Sequence, residues 1–124
     1  MTNPNKAKKI SLELGSGGRM MRDFIAQRIV PFFGNPFLSE LSDSCHLPRG
    51  VAFTTDSYVV DPIFFPGGDI GSLAVNGTVN DLVVSGAIPQ YLSLAFIFEE
   101  GFDWEDLDKV FKSIRRAARR AGVL

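Results

Sequence analysis

The run "IGSLAVNGTVNDLVVS", Ile70 to Ser85, constrains the fold of this chain more than any other stretch. At helical period it is apolar on nearly every side, and a helix of that kind is buried. Asn80 and Asp81 stand within it, among Val75, Val79, Leu82, Val83 and Val84. A carboxylate buried among valines is costly unless something pairs with it. The fold must therefore cover the helix and also give Asp81 a partner. A strand over Leu82–Val84 stays open, because short valine runs are ambiguous in period.

The elements around this run follow from local signals. Residues 1–9 read as a disordered polar start. "GSGG", Gly15 to Gly18, precedes a helix-like run in which Met20, Met21, Phe24, Ile25 and Ile29 share one face. Pro31 should kink or end that helix. Gly34 to Gly50 is turn-rich and reads as a surface connection. "VAFTTDSYVV", Val51 to Val60, is β-branched and aromatic and reads as strand, ending at Asp61-Pro62. Phe64 to Gly71 reads as a loop, and Asp69 can cap the helix that starts near Ile70. "YLSLAFIF", Tyr91 to Phe98, alternates cleanly and is the firmest strand signal. The last helix runs from Asp103 to about Ala121, with Asp103 as N-cap and Gly122 just past its end.

Helix, strand, buried helix, strand, helix is an α+β order. A mixed or antiparallel sheet would carry the helices on one face. The other face then needs cover, and 11 Phe in 124 residues point to a partner subunit or a second domain. Residues 10–124 suit a single domain. A net charge of −1 gives no reason to expect nucleic acid or an anionic membrane as partner. The basic cluster Lys112 to Arg120 is matched by Asp103, Glu105, Asp106 and Asp108, so these charges read as arranged along a helix dipole. The single cysteine, Cys45, excludes an internal disulfide. "MTNPNKAKKI" has no apolar signal core, and no run approaches the ~18 apolar residues of a membrane span. The expectation is a soluble, cytoplasmic protein.

Four aspartates recur near glycines: Asp56, Asp61, Asp69 and Asp81. Gly77 and Ser85 lie four residues before and after Asp81, on its face of the helix. With no side chain at Gly77, a ligand could approach the backbone there. Two carboxylates from different elements suit Mg²⁺, which takes one or two protein carboxylates and completes its shell with water and phosphate oxygens. A structural reading stays equally open, with Asp81 capping a neighbouring strand or pairing with an arginine such as Arg19. Asn80 has its own structural reading as a core amide bonded to backbone, and Asp69 as a helix cap. "GSGG" could present N–H groups to an anion, yet it ends in no G-K-[ST], and such a loop alone is more often a linker. Cys45 and His46 have no second Cys or His to make a zinc site.

"TTDSYVVDPIFFPGGDIG" followed by "GTVNDLVVSGAIP" resembles the N-terminal domain of the HypE family of hydrogenase expression/formation proteins. That family belongs to the superfamily of aminoimidazole ribonucleotide synthetase, selenophosphate synthetase and thiamine-monophosphate kinase. "GSGGRMM", "FGNPFL" and "FIFEEG" add to the likeness, which runs from Ile10 onward. The resemblance implies a domain that binds ATP with Mg²⁺ and lacks a P-loop. It places Asp56 and Asp81 at the nucleotide–metal site; from the residues themselves, Asn80 is a polar neighbour and Asp69 a lesser metal candidate. Ser16, Gly17 and Gly18 would lie near the phosphates. It implies a homodimer whose sheets close a barrel across the interface. The family's reaction uses ATP to dehydrate a carbamoylated C-terminal cysteine to a thiocyanate, the source of the cyanide ligand of [NiFe]-hydrogenase. HypF supplies the carbamoyl group, and the HypC–HypD complex receives the cyanide. Family members continue into a second α/β domain and a C-terminal cysteine, both absent from this chain, so the chain alone would be inactive. Cys45 does not inherit that cysteine's role. Leu14 stands where the family usually has a histidine. Two alternatives remain: a non-catalytic dimerisation and partner-binding module, and a sister enzyme of the superfamily, against which the "DPIFFPGGDIG" run speaks.

Overall fold

The computed structural model describes residues 10–15 and 17–124, so the polar start at residues 1–9 and Ser16 lie outside the described residues. The chain divides into two compact units, Met1–Leu41 and Ser42–Leu124.

In the first unit a 3-10 turn, Leu12–Gly15, precedes helix α1, Gly18–Phe24. Gly17 and Gly18 have φ of 80° and 72°, a left-handed backbone that glycine adopts freely. The helical path continues through a π turn, Ile25–Ile29, into the short helix α2, Val30–Phe33. Pro31 explains both features. It lacks an N–H and its ring crowds the carbonyl one turn back, so the ladder widens before it and the helix stops soon after. No residue of α1, the π turn or α2 is buried within this chain: of the expected apolar stripe, Met20 and Met21 are exposed and Phe24, Ile25 and Ile29 are half-buried.

The second unit begins with a hairpin. Strand β1, Cys45–Leu47, pairs antiparallel with β2, Val51–Phe53, in the register Cys45↔Phe53 and Leu47↔Val51. β1 lies inside the stretch expected to be a surface connection. The expected strand Val51–Val60 keeps a ladder only over its first residues. A second hairpin, β3 (Phe64–Phe65) with β4 (Gly68–Asp69), occupies the expected loop. Pro66-Gly67 makes its turn, and Gly67 has the φ of 94° that such a turn requires.

Helix α3, Ile70–Val84, starts where Asp69 caps it, which settles the Leu82–Val84 ambiguity in favour of helix. The Asp69 carboxylate accepts from the N–H groups of Gly71 (2.7 Å) and Ser72 (3.1 Å), and the Ser72 hydroxyl answers the Asp69 N–H at 3.0 Å. Helix α4, Trp104–Ala121, is capped by Asp103, carries Glu105 and Asp106 in its first turn and Arg119 and Arg120 in its last, and ends at a left-handed Gly122. The core is the seam between α3 and α4. Val75 is fully buried, joined by Val110, Ala117 and Val123. Gly71 sets how closely the helices approach. A Cβ there would stand 2.8 Å from the Val110 carbonyl oxygen and 2.9 Å from Ile114 Cγ1.

Two expectations need correction. Burial of α3 is one-sided, for Leu73, Val83 and Val84 are exposed within this chain. Tyr91–Phe98 forms no ladder, and nearby backbone pairing is confined to Leu92 N–H with the Leu124 carbonyl and Leu124 N–H with the Gln90 carbonyl. Its alternation is nevertheless real. Phe96 stacks on Phe98 at 5.6 Å and meets Phe111 of α4 edge-on at 5.5 Å, while Ile97 between them is fully exposed. Period reports which side chains share a face, whereas a strand needs a hydrogen-bonded neighbour. The helices and small antiparallel hairpins make an α+β chain. Among the described residues they do not assemble into one broad sheet, and no helix is long and apolar enough to cross a membrane.

Candidate functional site

The site lies in the second unit, where the residues after β2 run past the C-terminal half of α3. Thr54, Asp56 and Tyr58 fall at a spacing of two, which aims them to one side of an extended segment. Thr78 and Asp81 lie one turn apart on α3 and meet that side. The Tyr58 hydroxyl donates to Asp56 Oδ2 at 2.8 Å and lies 3.4 Å from Thr78 Oγ1. The Thr54 hydroxyl lies 2.8 Å from the Asp43 carbonyl oxygen and 3.5 Å from Asp81 Oδ2. A hydroxyl has one proton to give, and the shorter contact takes it. Asp81 is left without a short hydrogen bond from a side chain.

Among the described residues of the second unit, Asp81 has no salt-bridge partner, for the bridge there joins Lys109 to Asp106. Partial burial pushes the Asp81 carboxyl up from its ordinary value, and the negative charges of Asp56 and Asp43 push it further. Burial likewise raises the Tyr58 phenol, with Asp56 adding to the effect, which keeps the hydroxyl protonated as a donor. Asp81 is thus a carboxylate among carboxylates, half withdrawn from water.

Asp56 and Asp81 are the expected residues that the fold brings together. Asn80 is exposed, so its reading as a core amide fails. Asp69 sits at the far end of α3. Twelve residues of helix separate it from Asp81, about 18 Å at the helical rise, so one ion cannot bind both. Its Oδ1 is already engaged by the cap. Gly77 is not an open approach for a ligand, because the Tyr58 ring lies over it. Gly17 and Gly18 belong to the first unit, at the start of α1.

Sequence reasoning missed Asp43, Thr54, Tyr58 and Thr78. The spacing of Thr54, Asp56 and Tyr58 was a usable signal. Asp43 offered none, since it lies in a turn-rich segment far from Asp81 along the chain. Among the described residues no three carboxylate, imidazole or thiol groups gather closely enough to cage a metal. A carboxylate pair lacking a cation still fits a hard divalent ion that brings its own phosphate and water oxygens. Cys45 and His46 pair in the β1–β2 hairpin and take no part.

Residues 42–124 match the model of the N-terminal domain of AIR synthase related proteins. The chain belongs to that family. It is similar to the carbamoyl dehydratase HypE of Escherichia coli (strain K12), at 48% identity over 122 residues, covering 92% of this chain and 36% of that protein. It is 49% identical over 112 residues to the carbamoyl dehydratase HypE of Azotobacter vinelandii, covering 88% of this chain and 33% of that protein. The chain therefore spans about a third of the length of the curated relatives it matches. Among solved structures it resembles a HypE–HypF complex, with a TM-score of 0.76 and 50% identity over 81% of this chain and 33% of that one. It also resembles HypE in complex with ATP, with a TM-score of 0.55 and 50% identity over 91% of this chain and 34% of that one. The likeness to HypE drawn from "VNDLVVSGAIP" and "SYVVDPIFFPGGDIG" is thus borne out.

Proposed function

We propose that this domain binds ATP with Mg²⁺ for a HypE-type maturation enzyme. The observation that carries the reading is the Asp81 carboxylate, without a cation among the described residues of its unit and raised by burial and then by Asp56 and Asp43, in a domain whose relatives include a HypE–ATP complex. Asp56 and Asp81 would hold the metal, with Asp43 adding negative charge and Asn80 a polar neighbour. Ser16, Gly17 and Gly18 are proposed to approach the phosphates. The bound ion supplies charge neutralisation for the phosphates. This chain's own residues contribute placement and a field, the main protein share of phosphoryl transfer.

For the whole protein, the proposed reaction dehydrates a carbamoylated C-terminal cysteine. ATP phosphorylates the carboxamide oxygen and makes it a leaving group, and the thiocarbamate becomes a thiocyanate. HypF would deliver the carbamoyl group and the HypC–HypD complex would take the cyanide, in the cytoplasm. The chain spans about a third of the length of its curated relatives, so this reaction is proposed for the whole protein.

A second reading, a dimerisation and partner-binding module, draws support from the exposed apolar residues Tyr91 and Ile97 on a segment with no ladder. It is compatible with a homodimer that completes the sheet and closes a barrel. Calorimetric titration with Mg·ATP separates the two. Heat that disappears with EDTA supports the nucleotide site, and no heat at any concentration supports the module alone. In the whole protein, Asp81→Asn is expected to abolish ATP turnover and leave assembly intact. Normal turnover would end the metal assignment.

A further inference from the structure

Tyr58 has a feature that the nucleotide reading does not use. Its single hydroxyl proton goes to Asp56 Oδ2 at 2.8 Å. The Thr78 hydroxyl, 3.4 Å away, is then left to donate to the Tyr58 oxygen. The ring rests on α3 at Gly77, where an added Cβ would stand 2.9 Å from Tyr58 Cζ and 3.0 Å from Cε1. Such distances are too short for a real side chain, so glycine at this position is what admits the ring. Asp56 is exposed and lies on a segment without a ladder of its own. Among the described residues no other side-chain hydrogen bond fixes it. Tyr58 ties it to the same helix that carries Asp81, one turn further on.

We propose that Tyr58 is a positioning residue, a latch seated on Gly77 and Thr78 that holds one oxygen of Asp56 and leaves the other for the cation shared with Asp81. The inference rests on the nucleotide–metal reading of the site. Carboxylates that ligate metals are themselves hydrogen-bonded from outside, and loss of that support typically costs about 10- to 100-fold in metal affinity. A ring that only fills space would behave differently. Tyr58→Phe keeps the ring on Gly77 and removes the hydroxyl alone. Gly77→Ala keeps the hydroxyl and displaces the ring.

The test uses the whole protein with Mn²⁺ as the probe, and reads free Mn²⁺ by electron paramagnetic resonance in the presence of ATP. Thermal unfolding and assembly are measured alongside. Tyr58→Phe is expected to weaken Mn²⁺ binding about 10-fold with an unchanged Tm. Gly77→Ala should weaken it at least as much, and Thr78→Val by less. Wild-type Mn²⁺ affinity in both Tyr58→Phe and Gly77→Ala overturns the latch. So does a Tyr58→Phe loss that merely follows a fall in Tm. Asp81→Asn is the control that separates the two claims. If it binds Mn²⁺ as the wild type does, the metal site itself is wrong. If it fails to bind while the latch variants match wild type, only the latch is wrong.

Discussion

The two ends of α3 are built for opposite purposes. At the N-terminal end, Asp69 caps the helix, Gly71 lets α4 close in, and Val75 is fully buried. The cap there is satisfied by Asp69 and Ser72, and Val75 packs in the seam with α4. At the C-terminal end Val83 and Val84 are exposed, and Asp81 is crowded by Asp56 and Asp43 with no cation beside it among the described residues of its unit. One helix thus carries a stability half and a frustrated half. The frustrated half is where a ligand can repay what the fold leaves unmatched. Burial and capping are satisfied within the chain, while charge at Asp81 is not.

Three measurements break or sharpen this contrast. The largest effect is expected from Val75→Ala, which removes two methyl groups from a fully buried site and should cost about 2 kcal/mol in denaturant unfolding. A negligible cost would mean that the α3–α4 seam is not the core. Next comes Asp69→Ala, expected to cost about 1 kcal/mol by uncapping α3. If that variant lost Mg·ATP binding at unchanged stability, the two ends would not be separable. The smallest effect, and the one of opposite sign, belongs to Asp81→Asn. The raised Asp81 carboxyl contributes stability fully present below the ordinary carboxylate value and lost as pH rises through its raised one. Asparagine has no such loss. The Tm of the variant should therefore exceed that of wild type at neutral pH, and the gap should close on acidification through that window. A variant less stable than wild type at neutral pH would show that Asp81 has a partner after all.

Much of this division was legible in advance. Asp69 as cap, Ile70 as helix start, and α4 from its Asp103 cap to Gly122 follow from local chemistry, because capping and helical period act within a few residues. Pro66-Gly67 marked a turn for the same reason. The strand expectations fared worse. Val51–Val60 and Tyr91–Phe98 have the right composition and alternation, but a ladder depends on a neighbour that composition does not name. At the site, Asp81 could be singled out as a costly carboxylate among valines, and Asp56 as a second carboxylate from another element. Tyr58 could not be given its role, since that depends on Gly77 lying under its ring.

Taken alone, the sequence determined the helices, their caps, the turn glycines, the family, and the oddity of an aspartate among valines. Each of these depends on residues close in the chain or on a motif read in order. Only the tertiary structure decided that Asp81 lies near Asp56 and Asp43 and that Tyr58 rests on Gly77. Those facts require segments well separated along the chain to meet, as Tyr58 and Thr78 do, and the energy of such a meeting belongs to the pair and not to either segment.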